Sequence, residues 1–264
     1  MATAGGNEPV LLEERHDGVL RLVLNRPAAR NALSLALMAA LAAALDRAAA
    51  DPACRVVVIA GSGAAFCAGH DLRELRADPS REFYERTFTA CSALMLQIVH
   101  LPKPVIAEVH GIATAAGCQL VATCDLAVAA ADARFATPGV NIGLFCSTPM
   151  VALSRAVGRK AAMEMLLTGE LVEAPAAQAL GLVNRVVPGA QLSAAAMGLA
   201  RQIAAKSALT LAIGKEAFYA QAELGLAEAY RHAGEAMTRN MLARDAAEGI
   251  DAFLEKRPPV WQDA

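Results

Sequence analysis

Short apolar runs alternate with longer mixed ones along the first 190 residues. Residues 19–24, VLRLVL, alternate, with Leu20, Leu22 and Leu24 on one face, as a strand with one buried side does. The runs RVVVIA (55–60), PVIAEV (104–109), DLAVAA (125–130) and LVNRVV (182–187) are short and branched, the pattern of strands covered on both faces. Helical stretches separate them, at about 34–50, 81–100, 115–123, 149–156 and 160–168. Strand–helix alternation of this kind predicts an α/β fold. Beyond Pro188 the strand pattern stops, and 191–256 predicts three or four helices, a candidate surface for a partner subunit. No tandem repeat or low-complexity linker interrupts the chain.

Two segments share one plan. VVVIAGSGAAFCAGHDL (56–72) and PVIAEVHGIATAAGCQL (104–120) each give a buried strand, a Gly/Ala-rich turn and the start of a helix. Small residues let another molecule approach the backbone closely. The first turn of a helix also carries N–H groups without partners inside the helix.

Composition narrows the classes. The 264 residues are 56% hydrophobic and carry a net charge of −2, so no global attraction draws the chain to nucleic acid or to anionic membrane. The uncharged run 135–154 is long enough for a membrane span but contains Pro138, Asn141 and Pro149, which suit loops and helix starts. The N-terminus shows neither a basic nor an apolar signal region. Six scattered cysteines without metal spacing suit small buried side chains in a reducing cytosol, so a cytoplasmic location is expected.

Known chemistry-bearing motifs are missing. GSGAAF has Phe66 where a dinucleotide loop needs its third glycine, and no GK[ST], GxSxG or HExxH occurs. Adjacent His70 and Asp71 are poorly spaced for a shared metal, so neither a metal nor a resident cofactor is expected. What is left is one open backbone N–H from each echoed turn. Two such donors converging on one oxygen make an oxyanion hole, and two turns tightened only by strand–helix packing would look the same.

Four ordered motifs, LNRPAARNAL (24–33), AFCAGHDL (65–72), HGIATAAGCQLVATCDLAVA (110–129) and FATPGVNIGL (135–144), resemble the crotonase superfamily of enoyl-CoA hydratases and isomerases. The resemblance runs from about residue 10 to the closing FLEKRPPVW. It implies an α/β spiral of repeated ββα units over 1–200, holding an acyl-CoA pocket. A helical oligomerisation region over 201–264 would build trimers that pair into hexamers. It further implies that the N–H groups of His70 and Ala116 hold the thioester oxygen as an enolate forms. Ala29, Arg30, Asp71 and Leu72 would border the CoA nucleotide, and Lys256 would reach a CoA phosphate. Coenzyme A would enter as part of the substrate.

The chain departs from the family where the hydratases keep two acid–base glutamates. Gln119 stands at one position and Gly139 at the other. A glutamine cannot exchange a proton near neutral pH, and a glycine offers no group at all. General acid–base work is typically worth about 10²–10⁴-fold, so crotonyl-CoA hydration is expected to be weak or absent. The AGHD loop also resembles that of methylmalonyl-CoA decarboxylases of this family. Decarboxylation needs an enolate-stabilising hole more than a carboxylate base. Three readings follow: an acyl-CoA enzyme (weak hydratase/isomerase, decarboxylase or thioesterase-like), a non-catalytic acyl-CoA sensor, or a structural scaffold. His70, Cys146 and Tyr84 are candidates for a chemical role. His110 is read as a turn residue, Asp125 as a backbone anchor, and Glu108 as a buried acid that must be paired or face outward.

Overall fold

The computed structural model describes residues 8–264. β1 (Leu11–His16) and β2 (Val19–Leu24) form an antiparallel hairpin across Asp17 and Gly18, both at positive φ, as a two-residue turn requires. α1 (Leu35–Ala50) then leads to β3 (Val56–Gly61), α2 (Leu72–Ala77), α3 (Arg81–His100) and β4 (Val105–Val109). β5 (Ile112–Thr114), α4 (Ala116–Thr123), β6 (Leu126–Ala130) and β7 (Arg134–Ala136) follow. Next come α5 (Ser147–Ala156), α6 (Arg159–Thr168), β8 (Val172–Glu173), α7 (Ala174–Leu180) and β9 (Arg185–Val187). Four helices close the chain: α8 (Leu192–Ala204), α9 (Ala208–Gln221), α10 (Leu226–Met241) and α11 (Arg244–Glu255).

The large sheet has the order β1-β2-β3-β4-β6-β9, parallel except for the β1–β2 hairpin. A smaller sheet has the order β5-β7-β8. Two residues separate β4 from β5, and three separate β6 from β7, so each of these two pairs puts one strand in each sheet before a helix follows. This is the spiral of ββα units. The side chains of Val56 to Ala60 are all buried, as continuous apolar runs in a covered parallel sheet should be.

The expected single buried face of β2 is corrected: Val19 and Val23 are buried along with the three leucines. Only Arg21 is partly exposed. It lies between Glu14 and Glu108 and grips Glu108 with two parallel bonds of 3.0 and 2.9 Å. Glu108 is thus the paired buried acid anticipated above. The 200/201 boundary falls inside α8, which lies across β2, β3, β4 and β6 of the large sheet. No described helix is long and apolar enough to cross a membrane. The uncharged run 135–154 forms the end of β7, a short turn and α5.

Candidate functional site

The two echoed turns are sewn to each other. Phe66 N–H donates to the His110 carbonyl (3.1 Å), Cys67 N–H to Ile112 (3.1 Å), and Thr114 N–H to Cys67 (2.9 Å). The Thr114 hydroxyl adds a bond to the Ala68 carbonyl at 3.1 Å. Gly111 and Gly117 stand where any side chain would strike the Ala64 and Cys67 carbonyls. The bareness of HGIATAAGCQL is the space needed for this contact.

That seam brings two backbone donors together. Gly69 has φ +97°, which favours glycine, and a Cβ there would lie 3.3 Å from the Ala116 nitrogen. The next residue is His70. Its strand-like bridge to Leu33 runs through the Gly69 carbonyl and the Asp71 N–H, leaving the N–H of His70 itself outside the ladder. Ala116 opens α4, in the turn where helix N–H groups have no internal acceptor. Among the described residues neither N–H has a hydrogen-bond acceptor. Ala115 holds the turn at φ 50°, ψ −118°, a conformation alanine rarely adopts, and its own N–H is tied to the Ala136 carbonyl (2.9 Å).

Side chains gather around the donors. Both ring nitrogens of His70 are buried without a hydrogen-bond partner, and the ring meets the edge of Phe88 on α3 at 5.5 Å between centroids. Burial pushes this imidazole below the ordinary histidine value, against a smaller opposing pull from the Leu33 carbonyl. Gln119, one helical turn beyond Ala116, is 4% exposed. Its Oε1 accepts a weak bond from the Cys91 thiol at 3.9 Å. Gln119 also lines a largely apolar cavity of about 1230 Å³, walled by Met95, Leu96, Val151, Ile213 and Tyr219.

Gly139 is not an open position. Its missing side chain would begin 2.6 Å from the Leu144 carbonyl oxygen and 2.9 Å from the Cys146 sulfur. Cys146 is 7% exposed and caps the start of α5. Burial pushes its thiol up, with only the Gly139 backbone opposing, so it is a neutral thiol at neutral pH. Cys67 and Cys118 are pushed up to about 12 in the same way.

Four of the five residues expected near the CoA nucleotide share one edge. The Arg30 carbonyl accepts from Ala68 N–H, and Leu33 N–H donates to Gly69, so 29–33 runs beside 68–72. Arg30 and Leu72 are exposed, and Ala29 is partly so. The Asp71 side chain is already engaged: it caps α2 through Arg73 N–H and pairs with Arg26 at 2.8 Å. Burial pushes its carboxyl up, and the Arg26 and backbone bonds outweigh this and hold it below the usual carboxylate value. Lys256 lies apart, exposed at the end of α11, a helix packed on α9 and α10. Sequence reasoning missed Asn31, fully buried at φ 54°, which binds Arg26 N–H and the Ser62 and Ala65 carbonyls and so fixes this edge. An asparagine tolerating the left-handed region after RPAAR was the available signal.

Asp125 and His110 hold backbone in place. Asp125 accepts from Val105 N–H, Lys215 and Tyr219, anchoring β4 and α9 together. Burial lowers the Lys215 ammonium below its ordinary value, partly offset by Asp125. The His110 ring bonds the Gly63 carbonyl at 2.9 Å, as a turn residue should. Tyr84 is half-buried on the first turn of α3. No group of three metal-ligating side chains occurs among the described residues.

A family profile for enoyl-CoA hydratase/isomerase matches residues 14–264. The chain belongs to this family. It is similar to the mitochondrial enoyl-CoA hydratase domain-containing protein 3 of Xenopus laevis, 47% identical over 96% of this chain and 86% of that protein. The crystal structure of human enoyl-CoA hydratase domain-containing protein 3 superimposes with a TM-score of 0.93 at 47% identity, over 96% of this chain and all of that one. An enoyl-CoA hydratase structure from Mycobacterium smegmatis gives 0.94 at 58% identity, over 96% and 99%. The likeness carried by the four motifs therefore extends along the whole fold. The expected cytoplasmic location is corrected by these relatives, whose frog, rat, mouse and human forms are all mitochondrial. Buried free thiols report a reducing compartment, not an address.

Proposed function

We propose that this enoyl-CoA hydratase/isomerase family member binds an acyl-CoA thioester and polarises its carbonyl with the N–H groups of His70 and Ala116. One observation supports the reading: neither N–H has a hydrogen-bond acceptor among the described residues, and the Gly69 turn just before His70 packs against the Ala116 nitrogen at the start of α4. Oriented donors in a water-poor site stabilise charge as it develops on an oxygen, and losing one costs about 10²–10³-fold in comparable sites. Ala29, Arg30, Asp71 and Leu72 form the edge against which the CoA nucleotide lies, with Asp71 contributing backbone because its carboxylate is taken by Arg26. Lys256, remote on α11, serves a CoA phosphate from a neighbouring copy in a trimer or hexamer. The exposed Leu226, Tyr230, Met237, Leu242, Phe253 and Leu254 of the C-terminal helices support such an assembly.

The reaction is enolate chemistry without the hydratase pair. Gln119 cannot serve as a general acid, and Leu144 and Cys146 occupy the space of a second carboxylate at Gly139. Crotonyl-CoA is therefore bound and hydrated poorly; decarboxylation, which draws on the hole alone, is the second reading. The test is a panel of acyl-CoA thioesters screened by mass spectrometry for binding and turnover. Infrared difference spectra of the ¹³C-labelled thioester carbonyl complete it. Binding with a carbonyl stretch moved to lower frequency is expected. An unshifted carbonyl removes the oxyanion hole, and rapid crotonyl-CoA hydration removes the claim that the glutamates are needed.

A further inference from the structure

We infer that the His70 imidazole is the acid–base group of this site and moves the proton on the acyl carbon next to the thioester. The inference rests on the acyl-CoA reading above and adds a proton carrier to it.

The first observation is an unpaired polar ring. Both His70 nitrogens are buried and make no hydrogen bond. A buried imidazole without partners has given up its bonds to water for nothing, a loss that a structural histidine normally avoids with a carbonyl or carboxylate. Here the ring rests on Phe88, and its closest chain neighbour with a charge, Asp71, is turned to Arg26.

The second observation is convergence. His70 touches Phe88, and Gln119 touches Cys91. Phe88 and Cys91 are three apart on α3 and so share one face of that helix. The ring of His70 and the amide of Gln119 therefore approach the same stretch of α3, from the two turns that pack together at Gly69. A carbonyl held by those N–H groups has its neighbouring carbon in the space these side chains border.

The third is elimination among the groups around the ring. Gln119 carries no titratable proton, and the Cys91 thiol is pushed up to about 12 by burial. Asp71 is bonded to Arg26 and Arg73 N–H, and Glu74 to Leu35 N–H. The His70 imidazole, by contrast, has a ring nitrogen lone pair with no hydrogen-bond donor on it, free to accept a proton. A ring nitrogen accepts the Cα proton while the C–H electron pair forms a double bond to the carbonyl carbon. The carbonyl π pair moves onto oxygen, where the His70 and Ala116 N–H groups hold it. The imidazolium then returns the proton, to the same carbon or to another, and nothing is oxidised or reduced.

Butyryl-CoA in deuterium oxide tests this in the intact protein. Mass spectrometry follows deuterium entering Cα, and calorimetry follows binding. The wild type should exchange, with a rate that rises with pH and levels off once the imidazole is neutral. His70→Gln and His70→Ala should lower exchange by about 10²–10⁴-fold and abolish that inflection while butyryl-CoA still binds. If one variant fails to fold, the other and the wild-type pH profile still decide. Exchange undiminished in either variant, or wild-type binding with no exchange at all, overturns the role of His70 and leaves the binding reading standing. Absence of butyryl-CoA binding to the wild type removes both.

Discussion

Positions 119 and 139, where the family resemblance puts the two hydratase glutamates, are filled in opposite ways. Gln119 keeps the size and direction of a glutamate: it lies one turn from Ala116, buried, against Cys91 and at the edge of the apolar cavity. Only its charge and its exchangeable proton are gone. Gly139 has lost the side chain and also the room for one, because the Leu144 carbonyl and the Cys146 sulfur have closed over it. The first change alters chemistry on an intact frame, and the second rebuilds the frame.

Gly139→Glu should show the largest effect. The new Cβ would meet a backbone oxygen at 2.6 Å, which cannot swing aside as a side chain can. Overpacking of this kind costs about 1–3 kcal/mol. Thermal unfolding should move down by roughly 2–12 °C, taking about 2–4 °C per kcal/mol for a chain of this size. A melting temperature within a degree or two of the parent would show that residues 143–146 move freely and that the two positions are alike after all.

Gln119→Glu should be milder and should depend on pH. The carboxyl would be buried beside a neutral thiol, so its pKa would rise in the folded protein above about 4.3. The folded state then binds more protons than the unfolded one, and stability is lost as pH rises through that window. The variant should match the parent near pH 4.5 and fall behind by about 1–3 kcal/mol above pH 8, measured by urea unfolding at both pH values. Crotonyl-CoA hydration should gain little, because the second member of the pair is still missing. Equal stability at every pH would mean that position 119 is solvated and that its burial decides nothing.

This difference between the two positions also marks what could be read in the chain before folding. The glutamine of AAGCQL and the glycine of FATPG were plain, and buried strands such as VVVIA and VIAEV followed from branched side chains alone. β1 was hidden because LLEERH is a charged edge strand, and β5, β7 and β8 because two or three residues carry no period. α2 and α7, with six and seven residues, were too short for the same reason. The filling of Gly139 by Cys146 depends on a turn at 138–143 whose geometry no local pattern encodes. The pairing of His70 with Phe88 joins a loop to a helix 18 residues away, so it also needed the fold. Motif spacing named the candidate donors, but only packing shows which side chains surround them.

His70 offers a third comparison, since its titration touches neither vacated position. Its folded value is lowered by burial, so the unfolded chain binds the proton more readily. Stability should therefore be complete above about pH 6.5 and decline as pH falls below it. In His70→Gln that part of the decline should vanish, read as a flatter plot of unfolding midpoint between pH 7 and pH 5. An unchanged plot would place the ring in water rather than against Phe88.

The smallest effect belongs to Ala115, the hinge between the two donors. An alanine at φ 50°, ψ −118° stores about 1–3 kcal/mol of backbone strain. Glycine relieves that strain but adds about 0.5–1 kcal/mol of unfolded-state entropy. Ala115→Gly should therefore stabilise the fold by about 1 kcal/mol, raising the melting temperature by about 2–4 °C. The same change should loosen the aim of the Ala116 N–H, so the infrared shift of a bound thioester carbonyl should shrink while the protein grows more stable. Stability and carbonyl polarisation rising together would mean that the strain at Ala115 does not serve to orient the donor.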